Sequence, residues 1–305
     1  MSTDSARSHS QALLALLFGA ICISFAPVFV KLIDTEALGP TAIAFWRTLF
    51  GAVVLSLMAR IMGRKLTMRI ALIKYAAVGG LLFALDLAAW HRSINYCGAG
   101  MATILGNTQV FAVPLLSMAL FRERLSGRFI IAASSALAGV TLLVGVGSET
   151  EFTITYLYGI GFGLANGLFY GAYLITLRRA PRDDGTFDVI TFTFWATTFC
   201  ALFSGISSLF EGDPMIPPDL YSWSIVISYG LVAQAFGWLA IIIALSRVPA
   251  TRAGLILLLQ PILATVWGIS FFSEQLQLSQ IAGAAITVAA IYFGSISRSA
   301  QNSDK

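Results

Sequence analysis

Apolar runs about twenty residues long, repeated from one end of the chain to the other, limit this sequence more than any motif does. Spanning a bilayer as a helix takes about 20 apolar residues. Ten such segments can be marked: 11–30, 40–59, 72–95, 99–120, 129–147, 154–177, 189–210, 222–245, 250–271 and 279–297. Between them lie only short loops. Of 305 residues, 57% are hydrophobic and 11% charged, whereas a soluble domain carries roughly 25% charge. A water-soluble fold of this size could not hide so much apolar surface. The expected fold class is an all-α integral membrane protein with ten transmembrane helices. No span is left for a catalytic or ligand-binding domain outside the lipid.

The first run is longer than a signal-peptide core of roughly 7–15 residues and is not closed by an A-x-A site, so it reads as a retained helix. Cys22, Cys97 and Cys200 are odd in number and far apart. That suits small buried hydrophobes rather than disulfides or a zinc site.

Charge sets the orientation. With the N-terminus inside, inward loops carry Arg60, Arg64, Lys65 and Arg69, then Arg122, Arg124 and Arg128, then Arg178, Arg179 and Arg182, then Arg247 and Arg252. The outward loops GSETEFT (147–153), EGDPMIPPDL (211–220) and SEQLQLSQ (273–280) carry no Lys or Arg. This contrast follows the positive-inside rule and places both termini in the cytoplasm. The net charge of +4 therefore reports topology and not nucleic-acid binding.

The chain also repeats itself. A shift of 151 residues lays 99–138 on 250–289 without a gap, pairing Ala99 with Ala250, Ala102 with Ala253, Gln109 with Gln260, and FRERL (121–125) with FSEQL (272–276). AFWR (44–47) falls on TFWA (193–196) at a slightly different offset. Two halves follow, 1–147 and 154–297, with a cytoplasmic tail at 298–305. Five helices per half is odd, so the second half enters from the opposite face. An inverted five-plus-five repeat is an architecture of secondary transporters and a basis for alternating access.

SFAPVFVKL…GPTAIAFWR (24–47), FALDLAAWHRSI (83–94), the FRERL close and the second-half run AFGWLAIIIALSRVPATRAGLILLLQPILATVWGISFFSEQL (235–276) together resemble the EamA family of the drug/metabolite transporter superfamily. The resemblance spans essentially the whole chain. It implies ten helices in two inverted repeats and export of small metabolites, amino acids among them, across a bacterial inner membrane.

Charges within the segments mark the candidate path. An ionised residue at a helix centre costs roughly 2.5–3.5 kcal/mol on insertion scales and seeks protein or water. Asp86 is the acid well inside a segment, and Arg47 the base. Counting from the outer ends puts Arg47 about 10 Å deep and Asp86 about 13 Å deep, so the two are expected to face each other. That leaves two readings: a permanent lock between helices, or Asp86 facing a cavity to take a substrate amine or a proton. Trp90 shares the Asp86 face. His91 lies some 140° away and is assigned to the outer interface, to packing or to an outer gate. Arg92 is expected to snorkel to headgroups. Gln234 and Trp238 repeat the polar-then-Trp spacing, and Gln109 and Gln260 occupy matching positions. These can bind a zwitterion or glue helices. Asn107 is about 200° from Gln109, so at most one should face the cavity squarely. Asn166 is a further candidate. Gly159, Gly163, Gly167 and Gly171 form a small-residue stripe for close packing. Pro27 and Pro114 are hinge or kink positions.

No G-x-x-x-x-G-K-[ST] loop is present, so ATP is not the direct driver. No cofactor is expected. A metal is not expected either, since the other histidine, His9, is in the tail. The expected activity is non-enzymatic transport of a small molecule through a central cavity, by a monomer or homodimer in lipid. Three rivals remain: an importer or exchanger of a nucleotide-like or adenosyl metabolite, an intramembrane enzyme using Asp86 and His91, and a non-transporting sensor or scaffold.

Overall fold

The computed structural model describes residues 2–34, 36–67, 69–121, 127–143, 153–180, 189–212, 214–245, 256–257 and 259–303. Every regular element among them is helical. Residues 122–125 of the FRERL motif and the basic positions Arg182, Arg247 and Arg252 lie outside the described residues.

The first apolar run is one span in two pieces, α1 (Ser2–Ser24) and α2 (Ala26–Lys31). The break follows from Pro27, which falls in the first turn of α2, where a missing N–H is tolerated. Ser24 Oγ donates to the Ile21 carbonyl (2.7 Å) beside the break. Then come α3 (Pro40–Ile61) and α4 (Ile70–Cys97). Gly98, with φ of 91°, makes the reversal into α5. The fourth run is again divided, into α5 (Ala99–Gly106) and α6 (Gln109–Phe121). Here side chains compete with the helix for backbone groups. Asn107 Nδ2 donates to Thr103 O (2.8 Å) and Thr108 Oγ1 to Leu105 O (2.6 Å). The first half ends with α7 (Gly127–Leu143).

The second half begins with α8 (Ile154–Arg179), whose first turn is capped by Thr153 Oγ1 accepting from Tyr156 N–H (3.2 Å). It continues through α9 (Val189–Glu211) and α10 (Leu220–Tyr229). Asp219 caps α10 by accepting from Ser222 N–H (2.7 Å), which holds its carboxyl below the usual range. The helix then runs through a π-helical stretch, Gly230–Gly237, into α11 (Trp238–Leu245). The last elements are α12 (Leu259–Phe272) and α13 (Leu278–Ser303).

Seven helical runs are long and apolar enough to cross a membrane, and 127–143, 259–272 and 278–293 are shorter apolar helices. The chain is thus a multi-pass membrane protein. Of the ten crossings expected, seven are matched by such runs, and the other three fall on apolar helices shorter than 18 residues among the described residues.

The halves interleave. α4 packs most extensively on α8 and α9, α3 on α9, α1 on α11, and α7 on α13. One apolar core joins α2, α3, α4, α5 and α10 around Ile43, Ile94 and Tyr229, and a second joins α3, α4, α8 and α9 around Phe83, Tyr173 and Phe192. The glycine stripe explains how α8 fits. A Cβ at Gly159 would lie 2.8 Å from Tyr96 Cβ, one at Gly163 2.8 Å from Leu105 Cβ, one at Gly167 2.6 Å from Thr108 Oγ1, and one at Gly171 3.1 Å from Ala112 Cβ. The stripe is a packing surface against α4, α5 and α6, as small residues at four-residue spacing predict.

Candidate functional site

Between the halves lies a cavity of about 680 Å³. Its wall includes Asp86, Trp90, Arg47, Asn107, Gln109, Asn166, Trp238, Gln260 and Pro27. Tyr170 and Tyr173 from α8 border it as well, as do Ser24 and Thr103. The helix breaks make this polarity possible. The turn at Asn107–Thr108 rotates α6 relative to α5, so Asn107 and Gln109 both reach the cavity. The straight-helix expectation that at most one of them would do so fails for that reason. Gln109 Oε1 is buried and has no hydrogen-bond partner among the described residues. An orphaned acceptor of this kind is costly unless a donor comes to it.

Arg47 and Asp86 are both buried and both border the cavity. The sequence leads one to expect them to face each other, either as a lock between the second and third segments or with Asp86 toward a cavity. They form no ion pair with each other, so of the two readings the lock is not what the structure has. Depth along a helix gives height and not direction. Arg47 turns toward the second half: Nε donates to Gln234 Oε1 (2.9 Å) and Nη1 to Tyr229 Oη (2.7 Å). Its guanidinium carbon lies 4.7 Å from the Tyr229 ring centroid and 5.9 Å from that of Trp90, within cation–π range. Asp86 Oδ1 accepts from Asn166 Nδ2, which also reaches the Asp86 carbonyl (3.4 Å). Asp86 Oδ2 has no protein partner among the described residues. Each charge is therefore held by neutral groups and left facing shared space.

Two sequence candidates belong elsewhere. Gln234 does not border the cavity; it is 1% exposed and stands behind Arg47 as its acceptor. His91 is fully buried and is not among the residues that line the cavity, though its ring lies 5.7 Å from that of Trp90, which does. Its Nδ1 lies 2.9 Å from the Pro40 carbonyl and its Nε2 3.1 Å from Tyr229 Oη. A carbonyl only accepts, so Nδ1 carries the hydrogen, and in the neutral ring Nε2 accepts from Tyr229 O–H. A continuous chain results, from Arg47 through Tyr229 and His91 to Pro40. Tyr229 is the member that sequence reasoning missed. A tyrosine in an apolar run is a weak signal, although a buried tyrosine hydroxyl usually finds a partner.

The cavity reaches Leu177, Thr193, Ile241 and Leu257 at one end of the bundle. At the other end two ion pairs join the halves. Lys31 Nζ meets Glu274 Oε1 at 2.5 Å, and the same oxygen accepts from Ala99 N–H (2.9 Å) at the start of α5. Arg92 Nη2 meets Glu211 Oε2 at 2.9 Å, while Thr41 Oγ1 donates to Glu211 Oε1 (3.0 Å) and accepts from Arg92 Nη1 (3.1 Å). Arg92 is thus an inter-half tie and not a headgroup anchor. Pro27 lies next to a further tie, where Trp267 Nε1 donates to Ser24 Oγ (3.0 Å) and stacks on Phe25 at 4.8 Å. Pro114 is within α6, past the break. Among the described residues no cluster of His, Cys, Asp and Glu could hold a metal.

Comparison with known proteins follows the same outline. Residues 10–145 and 157–296 each match the EamA-like transporter family. An uncharacterized transporter of Archaeoglobus fulgidus is 25% identical over 281 residues, covering 91% of this chain and 93% of that one. The pseudopaline exporter CntI of Pseudomonas aeruginosa is 24% identical over 282 residues, 92% and 94% of the two chains. The threonine/homoserine exporter RhtA of Salmonella typhimurium is 28% identical over 204 residues, 66% and 64%. A crystal structure at 18% identity superposes with a TM-score of 0.63, over 92% of this chain and 98% of that one.

Proposed function

This chain belongs to the EamA-like transporter family, and from that membership we propose that it exports a small zwitterionic metabolite of the amino-acid type. The observation that carries this reading is the pair Arg47 and Asp86, which border one cavity without neutralising each other. A substrate carboxylate toward Arg47 and an ammonium toward Asp86 satisfy both charges at once. Buried charges require such partners. Gln109 Oε1 offers an acceptor for a further ammonium or hydroxyl hydrogen, and Trp90 and Trp238 supply aromatic faces for the cation. The names of two relatives fit: both are exporters, one of threonine and homoserine, which are zwitterions. An anionic nucleotide-like substrate is disfavoured by a wall that, among the described residues, sets one guanidinium against one carboxylate.

In this reading the protein is a ten-crossing carrier of a bacterial inner membrane with both termini cytoplasmic, as the basic loops indicate. The cavity opens alternately to the two sides as the inverted halves rock. Asp86, the carboxylate that borders the cavity among the described residues, is the place where a proton exchanges for substrate ammonium.

Proteoliposomes loaded with labelled amino acids, matched amines and matched carboxylic acids test the reading. Expected is efflux of zwitterions, with amines and acids poorly carried. Asp86→Asn should weaken zwitterion binding about tenfold or more, the loss of one charge-assisted contact, while the variant elutes as wild type in detergent. Unchanged efflux by folded Asp86→Asn, or equal efflux of all three classes, rejects the proposal.

A further inference from the structure

A second concavity, of about 350 Å³, opens on the outside of the bundle between α4, α6 and α8. Its origin is geometric. α4 and α5 meet at the Gly98 turn, and both α4 and α6 lie along α8, yet α4 and α6 make little contact with each other. They diverge away from that turn and leave a groove floored by α8. Tyr75, Val78 and Leu82 of α4 line one side, and Leu116 and Leu120 of α6 the other. At its mouth are two cations, Lys74 and Arg179, with no carboxylate among the described residues of the lining. Lys74 is four residues into α4, about 6 Å from that end, and Arg179 is the last residue of α8. Both charges are therefore at headgroup depth on the side of the basic loops. From Lys74 to Leu82 the groove descends about 12 Å into the apolar layer.

We propose that this groove binds an anionic glycerophospholipid of that leaflet, with the phosphate at Lys74 and Arg179 and one acyl chain lying along Tyr75, Val78 and Leu82 toward Leu116. Basic pockets between membrane helices on this side select anionic headgroups. A guanidinium has five donors, so Arg179 holds a phosphate alongside a protein partner. The apolar walls exclude free phosphate as the natural occupant, because it would leave them unfilled. The floor of the groove is also the back of the transport cavity. On α8, Ala172, Ile175, Thr176 and Arg179 face the groove, whereas Tyr170, Tyr173, Leu174 and Leu177 face the cavity. A bound lipid therefore braces the cavity wall from behind.

Native mass spectrometry of the full chain in detergent, titrated with phosphatidylglycerol, phosphatidylcholine of the same chains, or inorganic phosphate, decides the matter. Expected is retention of one phosphatidylglycerol in preference to phosphatidylcholine. Affinity should fall roughly fivefold for Lys74→Gln or for Arg179→Gln and further for both together. Val78→Trp, which fills the groove but keeps both cations, should lose the bound lipid. Equal retention of the two lipids, unchanged binding by the double variant or by Val78→Trp, or displacement by millimolar phosphate alone overturns the proposal.

Discussion

Arg47 lies in the apolar layer, and the nearest obvious counter-charge, Asp86, is not what holds it. Its support comes from Tyr229 and Gln234, which arrive from the other half of the chain. Tyr229 is the pivotal group, since its hydroxyl accepts from Arg47 and donates to His91 while its ring stacks on Phe29 at 5.5 Å. Tyr229→Phe keeps the ring but strands both neighbours. The expected loss is about 1.5–3 kcal/mol, the value of a hydrogen bond to a charged group. Unfolding of the purified protein in detergent measures it. Little of this was readable beforehand. Asp86 and Trp90 could be assigned to one face by helical spacing, and both do border the cavity. The azimuth of Arg47 could not be read, because it depends on α10, whose tyrosine lies 182 positions away in sequence. The 140° offset between Asp86 and His91 was sound arithmetic. What occupies that direction is α3 and α10 rather than lipid, and no count along one helix reveals that.

Helices in this protein are more broken than the apolar runs suggest. Hydrophobicity locates a run but is blind to the interruption at Phe25 or at Asn107–Thr108, because the residues on either side are equally apolar. Pro27 makes the first interruption and side-chain hydrogen bonds to the backbone make the second, and around them Ser24, Asn107 and Gln109 border the cavity. The glycine stripe of α8, by contrast, was legible from spacing alone, since only small residues recur there at every fourth place. Its packing makes a sharp prediction. Gly163→Leu drives a side chain into Leu105 and into Ser93 Oγ, 2.9 Å from the new Cβ position. Overpacking of this kind costs about 1–3 kcal/mol, and a lowered midpoint in thermal unfolding is the expected readout. Gly161 has open space at its Cβ position, so Gly161→Ala serves as the unaffected control.

At the scale of the whole molecule, the two ion pairs described between the halves both take their glutamate from the second half and their cation from the first, and both are at the end away from Leu177, Thr193 and Ile241. They fasten that end while the cavity extends toward the other. Glu211→Gln with Glu274→Gln should loosen it. A cysteine-reactive, membrane-impermeant probe at Leu87→Cys, with the native cysteines replaced, should then react from the side that carries those pairs, several-fold faster than without the two changes. Unaltered labelling from that side would mean that the closure rests on apolar packing instead. The duplicated plan of the chain was visible in the sequence from the 151-residue offset, and the family matches both halves separately. The ties between the halves were not visible, since each ion pair links loops or helix ends more than 100 residues apart.

The π-helical stretch Gly230–Gly237 has a mechanical meaning beyond its hydrogen bonds. It closes rings from i to i+5 in place of the α-helical i to i+4, so its winding is looser. Above it, Tyr229 grips Arg47; within it, Gln234 does the same; just below it, Trp238 and Ile241 face the cavity. Were these eight residues to tighten to the ordinary winding, everything beneath them would turn about the helix axis while Tyr229 stayed in place. The segment is a torsional coupling in the bundle, and the twist it holds ties the grip on Arg47 to the direction in which Trp238 points.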